Sequence, residues 1–377
     1  MKVVVAIDSL KGSLTSMEAG YAIKEGIRRG KPKAQVIVKP LADGGEGTTD
    51  ALIEGLGGER VDITVTGPLG QPISTYYGYL PETKTAIIEM AMAAGIILLA
   101  EEEKDPFRTT TYGVGEMIKD AIQRGCRDFI IGIGGSATND GGIGMLKALG
   151  AKFVDAFGKD VGEGGQALGR VHTIDCRELL PELAHCHFKV ACDVTNPLCG
   201  PNGATYIFGP QKGVTEGEKA GLDQDMASYA KVTAQTVGED HRETSGAGAA
   251  GGLGFAFLSH LNAQLVSGIS LILQAIELEK ELRDADIVIT GEGRLDYQTA
   301  MGKAPIGVAR LAKKINKEIR VLAFAGSVTK DAIACNTAGV DAFFPIIREV
   351  TTLAEAMRPE TAKENMIATV EQVFRLL

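Results

Sequence analysis

Short β-branched apolar runs alternate along this chain with amphipathic stretches of helical spacing. The alternation is clear at the start of the chain, returns in its middle and dominates its last hundred residues. Such a rhythm predicts parallel strands joined by right-handed helical crossovers. We predict strands at 2–7, 34–38, 129–133, 287–290, 320–325 and 340–345, helices at 16–29, 112–122, 143–149 and 306–314, and a closing helix that reaches residue 377.

Two segments depart from this rhythm. Between 60 and 90, short alternating runs are separated by the turn sequences GPLG and PETK, which is typical of an antiparallel meander. Between about 155 and 237 the pattern is less regular. We therefore predict an α/β protein with a doubly wound parallel-sheet domain, formed by 1–55, 105–155 and 283–377. A discontinuous second α/β domain, formed by 56–104 and 156–282, is inserted into it.

Composition and charge narrow the classes of function. The net charge of −9 and the absence of Trp oppose sequence-independent binding of nucleic acid. The six cysteines include no CxxC pair and are few for a chain of this length, which is typical of a protein whose cysteines stay reduced. The first apolar run is too short for a signal peptide, and no apolar run is long enough to span a bilayer. We expect a cytoplasmic protein that binds neither nucleic acid nor a membrane.

The most informative segment is FIIGIGGSATNDGG at 129–142, where a predicted strand ends in a glycine-rich loop before a helix. Ligands bind at such junctions in open α/β sheets, because glycines let a phosphate approach the backbone N–H groups. The loop therefore predicts a phosphate-bearing ligand. Its candidate binding residues are Gly134, Gly135, Ser136, Thr138 and Asn139.

The same loop also matches a dinucleotide-binding fingerprint. Gly132, Gly134 and Ala137 have the GxGxxG/A spacing, and Asp155 lies roughly where the ribose-binding acid is found. A glycine-rich chain produces this pattern readily by chance. A dinucleotide-dependent oxidoreductase is nevertheless an alternative that this segment leaves open.

Ionisable residues beside glycines follow several other predicted strands. Because the carboxyl ends of parallel strands meet at one edge of a sheet, we expect these residues to converge. Each could instead cap a helix, but capping requires neither lysine nor arginine. Phosphoryl transfer does require cations, carboxylates for Mg²⁺ and a base. The candidates are Asp8, Ser9 and Lys11 after the first strand, Asp43 after the second, Asp193 and Lys212 in the insert, and Glu292, Arg294 and Asp296 after the strand at 287–290.

Seven distinctive motifs follow one another along the chain: DSLKGSLT at 8–15, ADGGEGT at 42–48, GIGGSATNDGG at 132–142, ACDVTNPL at 191–198, FGPQKG at 208–213, GAGAAGG at 246–252 and TGEGRLDYQT at 290–299. Together and in this order they resemble the bacterial class I glycerate kinases along essentially the whole chain. The resemblance implies ATP-dependent phosphorylation of D-glycerate, usually at the 2-hydroxyl, to give 2-phosphoglycerate and ADP. It also implies a flavodoxin-like domain that carries an inserted domain similar to restriction endonucleases.

For a kinase of this kind we predict an active site in the cleft between the two domains. The loop at 134–139 would bind the phosphates of ATP through Ser136 and Thr138. Lys11 and Lys212 would neutralise the γ-phosphoryl group, and Asp193 would accept the proton of the attacking hydroxyl.

The other candidates are assigned to the acceptor and to the metal. Arg294 would bind the glycerate carboxylate through its planar guanidinium, with Asp8 and Ser9 as further substrate-binding residues. Mg²⁺, the expected cofactor, prefers hard oxygen ligands. Its candidate ligands are Asp43, Glu292 and Asp296.

Several alternatives stay open at this point. Phosphorylation at the 3-hydroxyl would suit the same fold, because the two acceptor hydroxyls differ by a small shift. Outside the kinases, the alternatives are the oxidoreductase and a non-catalytic sensor of glycerate or nucleotide. We expect ATP and D-glycerate as small-molecule partners, and the sequence leaves a homo-oligomer open.

Overall fold

The computed structural model describes residues 1–42, 44–45 and 47–377 of the chain. Its strands are β1 (Lys2–Ile7), β2 (Gln35–Pro40), β3 (Glu59–Thr66), β4 (Pro72–Leu80), β5 (Thr85–Glu89), β6 (Asp128–Gly132), β7 (Lys152–Val154), β8 (Thr173–Asp175), β9 (His187–Ala191), β10 (Gln264–Val266), β11 (Ile287–Leu295), β12 (Arg320–Val328) and β13 (Ala342–Pro345).

The α-helices are α1 (Ser16–Gly30), α2 (Thr48–Leu56), α3 (Ala91–Ala94), α4 (Tyr112–Gln123), α5 (Ile143–Ala148), α6 (Ala204–Phe208), α7 (Lys219–Val237), α8 (Ala249–Leu261), α9 (Gly268–Ala275), α10 (Leu278–Leu282), α11 (Tyr297–Ala300), α12 (Ala304–Ile315), α13 (Ala334–Thr337), α14 (Leu353–Ala356) and α15 (Pro359–Leu376). Short 3₁₀ turns occupy Ile96–Leu98, Glu101–Glu103, Gly165–Arg170, Pro181–His185, Pro210–Lys212 and Lys330–Ile333. In the described part of the chain, no helix combines the length and apolar character that crossing a membrane requires.

The chain forms two compact units. Unit 1 comprises Met1–Asp43, Asp50–Gly57 and Ile269–Leu377, and unit 2 comprises Gly44–Thr49 and Gly58–Gly268. Each contains parallel strands and helices, so the predicted α/β class is confirmed.

Unit 1 is built on a parallel sheet with the strand order β13-β12-β11-β1-β2. The buried run of β1 pairs with β2 on one side and with β11 on the other. The order in which the chain adds strands therefore reverses between β1 and β11, which makes this a topological switch point. On one face, α1 and α15 pack so closely that a Cβ on Gly26 would lie 2.6 Å from the carbonyl oxygen of Ile367.

Unit 2 is built on a mixed sheet with the strand order β10-β9-β6-β5-β4-β3. β3, β4 and β5 form the predicted antiparallel meander, whereas β5, β6, β9 and β10 are parallel. β7 and β8 form a separate two-stranded ladder. The core includes a stacked aromatic pair on neighbouring strands, Phe129 and Phe188, whose ring centroids lie 4.7 Å apart.

The two units differ from the predicted domain boundaries in several places. We assigned 105–155 to the parallel domain with 1–55 and 283–377, but β6 pairs with β5 and β9 in the sheet of unit 2. An apolar run predicts a buried parallel strand without specifying which strands it will pair with, so periodicity alone could not assign β6. Residues 269–282 likewise belong to unit 1 and not to the insert.

Two further differences concern the elements themselves. The segment expected to be irregular contains α7, whose buried residues Leu222, Met226, Tyr229, Ala230 and Thr233 follow helical spacing among polar and small residues. β11 and β12 also continue beyond the predicted ends, to Leu295 and Val328. The glycines after residue 290 had suggested that the strand ends there, but Gly291, Glu292, Arg294 and Leu295 are paired with β12.

Gly291 provides a test of this longer β11. Its φ is 152°, and a Cβ there would lie 1.8 Å from the carbonyl oxygen of Phe324 on β12. We expect Gly291→Ala to lower the free energy of unfolding by roughly 2–4 kcal/mol, measured by urea denaturation.

Gly293→Ala is the matched control, because the nearest atoms to a Cβ there are 3.7 Å away. It should change the free energy of unfolding by less than about 1 kcal/mol. Equal losses for the two variants would contradict the close approach of β11 and β12 at Gly291.

Candidate active site

The carboxyl ends of the parallel strands of unit 1 surround a cavity of about 480 Å³. It lies at the switch point between β1 and β11, where open α/β sheets bind ligands. Six residues predicted to converge line it together: Asp8, Ser9, Lys11, Glu292, Arg294 and Asp296. For these residues, the predicted convergence at one sheet edge is confirmed.

A tight turn after β1 carries the first group. The N–H of Asp8 donates to the carbonyl oxygen of Gly291 (2.9 Å), and one carboxylate oxygen of Asp8 accepts from the N–H of Ser9 (2.7 Å). Paired hydrogen bonds between Leu10 and Leu14 close the turn. Lys11 is exposed at its tip. The turn therefore holds a buried carboxylate and an exposed ammonium group on one side of the cavity.

The end of β11 carries the second group. The hydroxyl of Thr299 donates to a carboxylate oxygen of Glu292 (2.5 Å) and lies 3.4 Å from a carboxylate oxygen of Asp296, so the two carboxylates lie close together. Asp296 also caps α11 by accepting from the N–H of Thr299 (3.1 Å), which means that the capping role is real for this residue. Arg294 is 66% exposed, with its Nε 3.9 Å from an Asp296 oxygen.

Negative charge beside this group also affects a buried thiol. Burial raises the pKa of Cys335, and the carboxylates of Glu292, Asp296 and Asp331 raise it further. The thiol is therefore held protonated, and it is not suited to act as a nucleophile. The charged groups that the unit 1 cavity offers to a ligand are therefore carboxylates and cations.

The sequence analysis missed several residues that line this cavity. Lys303 adds a third cation at the start of α12. Its position after Gly302, a few residues beyond the motif at 290–299, was the available signal. An apolar wall, formed by Leu10, Ile346, Ile347, Leu353, Ala356 and Met357, lies in the same cavity. Apart from Leu10, its residues lie outside the seven motifs.

In unit 2, the glycine-rich loop that follows β6 is largely buried. Thr138, Asn139 and Asp140 are completely buried, and Ser136 nearly so. Asn139 donates to the hydroxyl of Thr205 (3.0 Å), and the loop backbone is hydrogen-bonded to Ala94 and Ile96. The side chains of Ser136, Thr138 and Asn139 therefore point into the unit in this conformation, and their contacts with phosphate stay a prediction.

Two glycines form the exposed part of this loop. Gly134 and Gly135 are exposed, and Gly135 has a φ of +74°. A Cβ on Gly134 would meet no atom within 4 Å. If this loop contacts an anion in the conformation described, the contact is made by backbone at these two positions.

Lys212 is buried beneath the same loop. It is 1% exposed, and its Nζ donates to the hydroxyl of Ser136 (2.7 Å) and to the carbonyl oxygen of Thr138 (2.7 Å). Burial lowers the pKa of Lys212 to about 7, and the nearby Asp140 partly opposes this shift. In this arrangement Lys212 holds the loop and does not reach the surface, and its contact with the γ-phosphoryl group stays a prediction.

Asp140 organises the other side of the loop. It accepts from the N–H and hydroxyl of Thr111 (2.9 and 2.8 Å) and from the N–H groups of Gly142 and Gly144 (3.0 and 3.3 Å). Burial raises the pKa of this carboxyl, and the hydrogen bonds lower it only in part. Charged and polar side chains that looked catalytic in the sequence thus hold the loop together.

Two carboxylates lie at the ends of β9 and β5, parallel strands of unit 2 that flank β6. Asp193 follows β9, is exposed, and accepts from the N–H of Gly268 (2.9 Å). Glu89, which the sequence analysis missed, is buried at the end of β5 and accepts from the N–H groups of Gly47 and Thr49 (3.3 and 2.7 Å). A glutamate closing an otherwise apolar strand was its signal.

The metal candidates divide into two cases. Asp43 lies outside the described residues. Glu292 and Asp296 supply hard oxygen donors side by side in the unit 1 cavity. Among residues 1–42, 44–45 and 47–377, no group of three His, Cys, Asp or Glu forms a complete metal site. Such a pair nevertheless suits Mg²⁺, which commonly binds one or two carboxylates together with substrate phosphates.

Comparison with known proteins identifies the family. The sequence model described as the glycerate kinase family matches residues 3–377. The glycerate 2-kinase of Escherichia coli (strain K12) is 48% identical over 375 residues, covering 98% of each chain. The glycerate kinase of Haemophilus influenzae is 45% identical over 377 residues, covering 100% of this chain and 99% of that protein.

A solved structure agrees with these sequence relatives. A crystal structure of a protein assigned as glycerate kinase 2 from Salmonella typhimurium LT2 matches with a TM-score of 0.92 and 45% identity. The match covers 100% of this chain and 98% of that one. The chain therefore belongs to the glycerate kinase family.

Proposed function

We propose that this chain transfers the γ-phosphoryl group of ATP to the 2-hydroxyl of D-glycerate, producing 2-phosphoglycerate and ADP. The observation that carries the proposal is the unit 1 cavity, which combines three cationic side chains with three carboxylates at a sheet switch point. The name of the Escherichia coli relative, glycerate 2-kinase, supports the choice of hydroxyl.

The cations of the cavity suit a transferring phosphoryl group. Lys11, Arg294 and Lys303 can neutralise the negative charge spread over phosphate oxygens, which is the main protein contribution in phosphoryl transfer. The exposed guanidinium of Arg294 can also bind the glycerate carboxylate through two parallel N–H groups. Asp8 and Ser9 are proposed as further substrate contacts in the same cavity.

Glu292 and Asp296 are the proposed holders of Mg²⁺. The metal, when bound, would supply positive charge to the phosphate oxygens. Thr299 would keep the two carboxylates together through its hydroxyl, and capping of α11 would fix the backbone at Asp296. Asp43 stays a predicted ligand.

The fold assignment can also be made finer. Numbered within unit 1, the strands have the order 2-1-3-4-5, which is the flavodoxin-like order. We propose that unit 1 is the flavodoxin-like domain and that unit 2 corresponds to the inserted domain similar to restriction endonucleases. A cytoplasmic location is part of the proposal, and the six free cysteines support it.

The alternatives have less support. For an oxidoreductase, the main motif was the loop at 132–137, whose Ser136 and Ala137 are buried. A non-catalytic sensor would not need the cations and carboxylates of the cavity. A 3-hydroxyl acceptor differs only in which carbon of glycerate is phosphorylated, so the reaction product decides it.

The reaction itself is the first test. With ATP, Mg²⁺ and D-glycerate, we expect glycerate-dependent ADP formation, and phosphorus NMR should identify 2-phosphoglycerate as the product. Lys11→Ala should lower kcat/KM roughly 10²-fold, because a phosphate-neutralising charge is lost. Lys33→Ala, an exposed lysine outside the cavity, is the control and should behave like wild type. 3-Phosphoglycerate as the product, or no dependence on glycerate, would contradict the proposal.

Asp193 is the proposed general base, and an asparagine tests it. Asp193→Asn keeps an oxygen that can accept from the N–H of Gly268 but removes the basic carboxylate. We expect kcat to fall roughly 10²–10⁴-fold with an unchanged melting temperature. If kcat stays near the wild-type value, the base is another group, and Asp8 and Asp296 are the next candidates.

Lys212 is proposed as a positioning residue, and its depressed pKa predicts a dependence of stability on pH. The unfolded chain binds this proton up to about pH 10.5, whereas the folded chain releases it near pH 7. The folded state is therefore penalised below pH 7, and the penalty disappears as the pH rises from about 7 towards 10.5.

The comparison is between wild type and Lys212→Met, in urea denaturation from pH 7 to 9. The free energy of unfolding of wild type should rise relative to that of the variant, by at most about 1.4 kcal/mol per pH unit. Taking the difference removes the titration of other groups. If the free energies of unfolding of the two proteins change in parallel with pH, Lys212 does not lose its proton in the folded state over this range.

A further inference from the structure

We propose that the nucleoside base of the triphosphate binds on the apolar wall of the unit 1 cavity. The base site is formed by Ile347, Leu353 and Met357, with Leu10 and Ile346 behind them. This inference rests on the proposed kinase function and deepens it. It places the phosphate donor, base included, in unit 1, whereas the sequence pointed to the glycine-rich loop of unit 2.

The wall exposes large apolar side chains beside a charged surface. Ile347 is 40% exposed, Leu353 is 76% exposed and Met357 is 36% exposed. All three line the unit 1 cavity, whose volume of about 480 Å³ is within the range of small-molecule binding sites. Grouped exposed apolar residues in a concave site generally mark a binding surface for a ligand with an apolar part.

Glycerate does not account for this wall. Each of its three carbons carries oxygen, so it has no apolar face to cover such side chains. A purine base has flat apolar faces, and burying apolar surface contributes about 25 cal/mol per Å². Of the two substrates, the nucleotide is the one with a part that matches the wall.

The apolar wall is continuous with the cationic part of the cavity. The methyl group of Met357 packs against the turn after β1, where a Cβ on Gly12 would lie 2.8 Å from it. Gly12 directly follows Lys11, so the base site adjoins a cation suited to phosphate. Arg294 and Lys303 line the same cavity. A ligand with an apolar end and an anionic end fits this division.

The loop of unit 2 is a weaker candidate for the whole nucleotide. Its side chains at Ser136, Thr138 and Asn139 are buried, and the exposed Gly134 and Gly135 provide no side chain to cover a base. The backbone of those glycines could contact an anion without contributing to base recognition.

The test separates the base from the phosphates. We expect the single variants Ile347→Ala and Leu353→Ala to raise the KM for ATP, and the triple variant, which adds Met357→Ala to both, to raise it about tenfold. In all of these variants the KM for D-glycerate and kcat should stay within twofold of wild type. Inorganic tripolyphosphate, which has the phosphates without the base, should inhibit wild type and variants with the same inhibition constant. Isothermal titration of the full chain with ADP should show the same weakening as the KM for ATP.

Val350→Ala is the matched control. Val350 is a fully exposed apolar residue of the same segment that does not line the cavity, so its truncation should leave every constant unchanged. Melting temperatures should confirm that all variants fold, since the truncated side chains are at least one-third exposed.

Two results would overturn the base site. One is a triple variant with wild-type KM for ATP and wild-type affinity for ADP. The other is an equal weakening of tripolyphosphate and ATP, which would assign the loss to the phosphate site. Either result is distinguishable from failure of the proposed function, in which the wild-type protein itself shows no glycerate-dependent consumption of ATP.

Discussion

The parallel pairing of β1 with β11 is the interaction on which the unit 1 cavity depends. It aligns Val3 with Ile287, so that the chain's first strand lies beside a strand from its last third. The pairing brings the turn carrying Asp8 and Lys11 next to the strand end carrying Glu292 and Arg294. Because Gly291 has no Cβ, β12 can approach β11 closely at this residue, and β11 continues as a strand to Leu295. The functional groups on its end are consequently held by a sheet, which positions side chains more firmly than a free loop would.

Burial divides the conspicuous polar residues of this chain into two kinds. In unit 1, cations and carboxylates line an open cavity, where they can meet a ligand. In unit 2, Lys212 and Asp140 bind the inside of the glycine-rich loop and are enclosed with it. Buried charged groups of this kind need hydrogen-bonded partners, and the loop's carbonyl, hydroxyl and N–H groups supply them. The glycine-rich loop resembles a phosphate-binding loop in sequence, but it depends on Asp140 and Lys212 for its own conformation.

The strand and helix positions were largely predictable, because apolar periodicity reports on local burial. β1, α1, β2, the meander of β3 to β5 and α12 all lie within a few residues of their predicted bounds. Strand pairing was less predictable. β6 has the same kind of sequence as β1 yet belongs to the other sheet, since partners are chosen by non-local packing. In the candidate site, the convergence of Asp8, Lys11, Glu292 and Arg294 followed from strand ends. The apolar wall after β13 did not, because exposed apolar residues in a loop carry no periodic signal.

By itself, the sequence determined the α/β class, the family and a set of candidate residues for phosphoryl transfer, because residue types, their spacing and their motifs are local properties. The tertiary structure alone decided which groups are available. It turned Ser136, Thr138 and Lys212 inwards, placed Lys303 with Lys11 and Arg294, and added an apolar wall beside them. The physical reason is that exposure and proximity depend on which strands pair and which faces are covered. Those contacts join residues far apart in the chain, and no single segment encodes them.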